Sequence, residues 1–554
     1  MGALSLHTLS FRLFGAPAAR LVKAMPGFKD RIVASNICIF PETYFALMLF
    51  AIFATFPLLG AGVILILSRD VLGLPFLLMP SIEVILFFLA PSMFASSRAS
   101  SVEQELPYAA TYMTTMVRGG MSMALTLKRL EKNVWLPSTA KEARTILTFV
   151  EIFALDPLTA IERLVNSHPS RAFADFLSGY LSIVRGGGDL VHYLEVKTKE
   201  LFEIRSTNMK MGSERLAFFM ETYVILGVIM TLGFYTLFSA DSVYNTGMAS
   251  ASTFSLVAFV LLPAISMIFI AMAHSMQMKT PLSTSKPYYM FLASLPIGVM
   301  VVYAIYAVLG QSLFLALSLG LLLVSVPPTI AHRAATRHLK GVEVAMANFL
   351  RVVAESRKTG LSPENCIAQS AKRKYGPLTR EIELVASQIS WGIPIRKVYE
   401  SFAKRVKSWF ALINMYLLVE AIEFGGGTVP TIESLATFCQ ISSDVERELR
   451  MRMRPFILMP YLGAMLLVFS TLGIMMFTTN TVASTSTVES AGPSMGTFGP
   501  LFASAIMLHS WMMGMVGGKI SGGTVSSGFK HGLALVVLAF LSATLFTEFM
   551  GVSL

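Results

Sequence analysis

Twice in this chain three consecutive glycines precede a helical pattern that begins charged and turns apolar. Gly186-Gly187-Gly188 is followed by polar Leu190–Arg215 and then by apolar Leu216–Phe238; Gly425-Gly426-Gly427 is followed by Val429–Arg454 and then by Phe456–Phe477. Glycine is among the strongest helix breakers, so each triplet marks a turn. No breaker follows Gly188, so the first stretch predicts one long helix that starts in water and ends in a bilayer; the second predicts the same construction. Gly188 to Leu216 is 28 positions and Gly427 to Phe456 is 29. Upstream, breakers at Gly120, Pro137, Pro157, Pro169 and Gly186 are spaced 17, 20, 12 and 17 apart. Gly360, Pro377, Pro394, the Lys407-Ser408 junction and Gly425 are spaced 17, 17, 14 and 17 apart, and only the Lys407-Ser408 junction lacks a proline or glycine. A repeat of this length fixes the architecture before any single residue does.

The repeat is embedded in an apolar chain. Of 554 residues, 54% are hydrophobic and 14% charged, with a mean hydropathy of +0.65; this is the balance of a membrane protein. Nine stretches are long and apolar enough to span a bilayer: 45–67, 71–91, 216–238, 254–273, 288–309, 312–330, 456–477, 498–517 and 532–550. The chain thus divides into a basic segment 1–44, a hairpin 45–91, a polar domain 92–215, spans 3–6 over 216–330, a second polar domain 331–455, and spans 7–9 over 456–550. The two polar domains have 124 and 125 residues and helical patterning without sustained strand alternation. The expected fold is all-α, with nine transmembrane helices and two helical domains. Each repeat unit holds four spans, an even number, so both units keep one orientation, a parallel repeat about an axis along the membrane normal.

Lysine and arginine set the orientation. With a cytoplasmic N-terminus, 43 of the 44 basic residues fall inside, and Arg69 in the first short turn is the one outside. The chain is therefore expected to be a multi-pass protein of the cell membrane with both polar domains in the cytoplasm. Residues 1–44, with Arg12, Arg20, Lys23, Lys29 and Arg31 among apolar residues, look like a basic amphipathic segment at the interface.

The motifs of several chemistries are missing. Cys38, Cys366 and Cys439 are far apart, and the eight histidines form no H-E-x-x-H or Cys/His cluster, so neither a disulfide framework nor a metal site is expected. Gly517-Gly518-Lys519 is not a phosphate-binding loop, because Met513 stands where its first glycine belongs and Ile520 follows the lysine. Gly492-Pro493-Ser494-Met495-Gly496 has the G-x-S-x-G spacing of hydrolases but lies in a Ser/Thr-rich outer loop, without the strand, helix and partners that chemistry needs. Among acids within spans, Glu83 either bonds a neighbouring helix or faces a polar groove, and Glu221 lies one turn into span 3, near the interface. Nucleic-acid binding is not indicated, because the basic clusters carry no interleaved aromatics.

The Arg185–Leu190 and Glu423–Gly427 turns resemble the glycine turn of the type II secretion F family. Gly120-Met121-Ser122 and Gly360-Leu361-Ser362 are similar to that family's first helix break. The resemblance implies that each polar domain is a small antiparallel helical bundle. With nine spans, the chain is similar to the larger archaeal members, the platforms of an archaellum or an adhesion pilus. The likeness further implies a non-enzymatic role without cofactors: a hexameric secretion-type ATPase docking on the cytoplasmic bundles, pilin or archaellin subunits held among the spans, contact with membrane lipid, and a homodimer or small homo-oligomer. A secondary transporter with parallel repeats is the alternative; it would place its substrate groups within the spans. Domain 92–215 has 15 basic and 13 acidic residues, whereas 331–455 has 19 and 12. The second bundle therefore carries the candidate ATPase contact: Lys372, Arg373, Lys374, Arg396, Lys397, Lys404, Arg405 and Lys407. Arg450, Arg452 and Arg454 stand where the chain meets the membrane and are candidates for anionic lipid.

The charge distribution predicts topology directly. A cysteine placed at Ser486 should be modified in intact cells by a membrane-impermeant thiol reagent, and one at Lys372 should be protected until the cells are opened. Modification of the Lys372 position in intact cells reverses the orientation.

Overall fold

A computed structural model describes residues 6–37, 39–67, 73–244, 251–277, 285–424, 427–485 and 495–550. Among these residues the structure is helical, with no strand. It forms two compact units, residues 1–203 with 420–431, and residues 204–419 with 432–554. Nine helices among the described residues are long and apolar enough to cross a membrane.

The chain starts with α1 (Leu6–Ala24) and α2 (Pro26–Ala34), followed by α3 (Pro41–Leu67). Phe14 packs on Phe53, and Phe28 on Phe45 and Phe88, so α1 lies against α3, and α2 against α3 and α4. Next, α4 (Gly73–Arg118) leads into the short helices α5 (Met123–Leu130), α6 (Pro137–Glu151), α7 (Pro157–Ser167) and α8 (Arg171–Gly186). The trailing helix α9 (Leu190–Tyr244) carries the chain out of the bundle. Beyond it lie α10 (Ala251–Leu256), joined by a π turn to α11 (Leu262–Met276), then α12 (Lys286–Tyr303) and α13 (Leu313–Lys358). The second bundle repeats the first with α14 (Pro363–Ser370), α15 (Thr379–Ser390), α16 (Ile395–Arg405), α17 (Trp409–Glu423) and α18 (Val429–Met453). Last come α19 (Leu458–Thr485), α20 (Met495–Gly522) and α21 (Gly528–Met550).

Two features differ from the sequence expectation. The sequence predicts continuity between span and bundle at the trailing helices, yet the leading helices have it too. Both α4 and α13 have 46 residues, about 69 Å of helix each, and run from apolar span into bundle without interruption. Pro91, Pro327 and Pro328 sit near those borders and mask the continuity in the sequence; the helices absorb them. Conversely, the second trailing segment is not one helix. Pro455 opens a single 3-10 turn, Pro455–Ile457, between α18 and α19, because its ring removes an N–H donor from the ladder. The first copy has no proline there, and α9 runs 55 residues unbroken, about 82 Å.

The membrane part of the second unit is built around α20. Phe502, Ile506, Met507 and Val516 are wholly or almost wholly buried. Hydrocarbon solvates such side chains as well as protein does, so close packing rather than water exclusion holds this helix. Gly514 and Gly518 of α20 face Gly532 and Gly528 of α21, so close that an added Cβ at Gly514 would meet the Gly532 backbone and one at Gly518 would meet Gly528. The Gly514-x-x-x-Gly518 spacing thus has an antiparallel counterpart four residues apart on α21.

Gly514→Val and Gly518→Val should each prevent α20 and α21 from closing, and so lower the yield of monodisperse protein in detergent. Gly60→Val, where a Cβ would meet nothing within 4 Å, should not. Equal yields from all three would mean that the hairpin tolerates separation.

Candidate functional site

The two bundles correspond turn by turn. Gly120 and Gly360 adopt left-handed φ of 84° and 86°, and two residues on the Ser122 and Ser362 hydroxyls accept the backbone N–H of Leu125 and Asn365. Glycine ends one helix and serine opens the next. The weakest sequence match resolves in the same way. Ser170 accepts from the Phe173 N–H and Ser408 from the Ala411 N–H, so the shared element is the capping serine and not the proline before the first of them. Gly187 ends α8 at φ 69°, and the Gly188 N–H returns to the Ile183 carbonyl at 3.0 Å. Gly427 has φ 54° and bonds the Ala421 carbonyl; Gly425 and Gly426 lie outside the described residues, as does Ser494. Gly186 closes the helical stretch and has no positive φ.

The second glycine turn belongs to the first unit. Arg129 stacks its guanidinium 3.3 Å from the Phe424 ring centre, the Tyr112 hydroxyl reaches Glu420 at 3.5 Å, and Arg118 donates to the Pro430 carbonyl while pairing with Glu195. Nothing in residues 420–431 alone shows where they dock; that depends on long-range packing.

Folding divides the eight candidate contact residues of the second bundle between its two ends. The Pro377 ring lies against Gly341, and Glu343 pairs with Arg450 at 3.2 Å; both contacts lie near the spanning half of α13. At the opposite end Lys358 pairs with Glu433 at 2.7 Å. Lys372, Arg373 and Lys374 are exposed just before Pro377. Arg405 bonds Glu381 in the first turn of α15, and also Ser401, which brings exposed Lys404 and Lys407 to the same end. Their long sequence separation from the apolar half of α13 therefore does not carry them far from it, because the bundle folds back. Gly341 is 11 residues past position 330, about 16 Å along the helix. Arg396 and Lys397 begin α16 at the other end, with Arg396 near the Tyr416 ring. There the turn Trp391-Gly392-Ile393 leaves Trp391 83% exposed. The corresponding turn of the first bundle exposes Ile152 and Phe153, so both copies end in an apolar tip.

Arg450 is held by Glu343 and Arg452 by Glu448, whereas Arg454 is exposed. In the same region Arg205 and Lys210 of α9 reach Glu446 and Glu448 of α18, each at 3.5 Å, and these pairs tie the trailing helices of the two copies together. Glu83 is half-buried and accepts from the Thr55 hydroxyl at 2.9 Å across the α3–α4 pair, which is the neighbouring-helix alternative. Glu221 is exposed on α9. No group of three or more metal-ligating side chains occurs among the described residues.

One network in the first bundle has no signature in the sequence pattern. Arg98 on α4 donates to both oxygens of Glu142 on α6 and to the Ala34 carbonyl at the end of α2. Burial pushes the Glu142 carboxyl up, but hydrogen bonds and charge from His168 and Arg98 outweigh it and leave the group below its ordinary value. Glu105, also from α4, accepts the N–H groups of Ser138 and Thr139 at the start of α6, where burial raises it above the usual carboxylate range. In the second copy, positions 345 and 382 are alanine and isoleucine, and Tyr375 instead bonds Thr379 locally. The copies share a backbone plan with different cores, so the repeat spacing gives no hint of the charges.

The geometry defines a class: a multi-pass membrane protein built from a repeated unit, in which a helical bundle is continuous with membrane-spanning helices. The description of the type II secretion system (T2SS) protein F family matches residues 109–238 and 349–476. The chain thus carries two T2SS protein F domains, the composition of a secretion- or pilus-type platform protein. It is also similar to an uncharacterized protein of Methanocaldococcus jannaschii, 20% identical over 506 residues, 85% of this chain and 83% of that one. No solved structure matches the chain.

Two substitutions test these features. Gly187→Ala should cost about 1 kcal/mol, because the left-handed region penalises a Cβ, while Gly186→Ala should be neutral; thermal unfolding in detergent reads both. Arg98→Met should destabilise the first bundle by roughly 3 kcal/mol by leaving Glu142 without its main buried partner, whereas Lys372→Met should leave the melting temperature unchanged.

Proposed function

We propose that this chain is the membrane platform of an archaeal type IV pilus-like machine, an archaellum or an adhesion pilus. It would couple a cytoplasmic hexameric ATPase to assembly of a pilin filament and, in an archaellum, to its rotation. The observation that carries this reading is the pair of F domains in which leading helices run unbroken from span into bundle. Bending a continuous helix costs more than moving it as a rod, so a push on a bundle is passed to the spans without a hinge. The N-terminus and both bundles would be cytoplasmic, as the basic residues require. The working platform would be a homodimer or small homo-oligomer, with pilin subunits and lipid around its spans.

The ATPase would meet the basic surface of the second bundle. Exposed Lys372, Arg373, Lys374, Lys404 and Lys407 would steer its approach, since exposed charges govern association rate and partner choice more than raw affinity. Each pair is weak and screened by salt, so several must act together. Reversal of Lys372, Arg373, Lys404 and Arg405 to glutamate should abolish co-purification of platform and ATPase at low salt, and wild-type binding should fall as salt rises. Reversal of Arg396 and Lys397 should have the smaller effect. Loss confined to the Arg396/Lys397 variant would move the contact to the far end of the bundle. Wild-type binding indifferent to salt would remove charge from the account.

A further inference from the structure

Just past the apolar part of α13, four basic side chains of the second unit converge with one acid, Glu343, beside them. The His332 ring nitrogen Nδ1 lies 2.9 Å from the Ser526 hydroxyl, which places the start of α21 against α13 just past its span. The Tyr461 hydroxyl lies 3.0 Å from His531 Nδ1, which places the start of α19 against the same point. Arg333 and Lys340 on α13, Lys530 on α21, and Arg454 before α19 are therefore neighbours. The charge of Lys530 interacts with Arg333 and Arg454, and that of Lys340 with Arg450, Lys530 and Arg454. Glu343 interacts with Lys340 but is ion-paired to Arg450. Among the described residues, none of Arg333, Lys340, Lys530 and Arg454 has an ion pair. Arg333, Lys340 and Arg454 are exposed, and Lys530 is half-buried. Collecting like charges this closely is unfavourable unless an anion offsets them.

The surroundings indicate which anion. Ile330, three residues before Arg333, is 64% exposed, and Leu458, four residues after Arg454, is 61% exposed. Residues three apart lie on one helix face, so on α13 a cation stands directly beside bare apolar surface, and Arg454 is separated from exposed Leu458 only by the single turn Pro455–Ile457. A free phosphate would use only the cations; an amphiphile would use both. We propose that Arg333, Lys340, Lys530 and Arg454 form a binding site for the headgroup phosphate of an anionic phospholipid, whose acyl chains lie on the face that includes Ile330 and Leu458. The site is distinct from the Lys372–Lys407 surface and does not depend on the pilus reading. Basic pockets between membrane helices bind anionic headgroups in this manner.

The test uses the full chain, purified in detergent and stripped of lipid, with phosphatidylglycerol, phosphatidylcholine or inorganic phosphate added back. Binding is followed by native mass spectrometry and by the shift in melting temperature. Phosphatidylglycerol should bind and raise the melting temperature, phosphatidylcholine much less, and inorganic phosphate not at all. Changing all four residues to glutamine should weaken phosphatidylglycerol binding on the order of tenfold or more, while glutamine at Lys372, Arg373 and Lys374 should not. If the fourfold variant does not insert, Arg333→Gln with Arg454→Gln, both at exposed positions, carries the same comparison. Equal binding of the two lipids, undiminished binding by the variants, or stabilisation by inorganic phosphate equal to that by phosphatidylglycerol would overturn the assignment.

Discussion

Every backbone N–H and C=O within hydrocarbon must find its partner inside the protein, and a helix is the local way to do this. The rest of the structure depends on that constraint. A helix that has to cross the bilayer gains by continuing past its edge, because stopping there exposes a turn of unpaired groups that need caps. Helices α4, α9 and α13 all continue into bundles. The breaks occur well away from the spans, at Gly120, Gly187 and Gly360, where glycine accepts positive φ and serine or backbone groups take up the freed bonds. The result is a pair of bundles carried on rods rather than on flexible linkers.

The same economy explains the membrane interior. Apolar side chains gain little by leaving lipid for protein, so the spans need another source of adhesion. They obtain it from contact close enough for backbones to touch. Gly514 and Gly518 against Gly532 and Gly528, together with Gly298 against Gly320 on the α12–α13 pair, make up for the missing hydrophobic drive. The polar contacts are few and specific, such as Trp511 donating to Ser325 and Ser294 to the Val324 carbonyl. A helix as enclosed as α20 has almost no surface left for lipid. It is the fixed member around which the other spans of its unit are arranged.

Water-facing parts use charge instead, and the two copies use it differently. The first bundle buries Glu142 against half-buried Arg98, a costly arrangement retained where it also fixes the end of α2 through the Ala34 carbonyl. The second bundle keeps an apolar core and puts its cations outside. One copy thereby holds the N-terminal helices through Arg98, and the other leaves its cations exposed. Duplication preserved the turns, which the backbone needs, and left side-chain chemistry free to diverge.

The sequence by itself determined the number of apolar spans, the existence and period of the repeat, and the glycine turns. These rest on local physics: twenty apolar residues span a bilayer, and a glycine's φ preference needs no neighbour. The family likeness was legible for the same reason, because the spacing of turns survives when cores change. Only the tertiary structure decided which residues meet. It put Lys372 and Lys404 at one end of the second bundle and Arg396 at the other, committed Arg450 and Arg452 to Glu343 and Glu448, and gave Glu83 a partner in Thr55. It also showed Pro455 breaking the second trailing helix where Pro327 and Pro328 do not break α13. Contacts between residues 100 or 300 positions apart leave no periodic trace in a chain, so charge clusters could be counted from the sequence, but their partners could not.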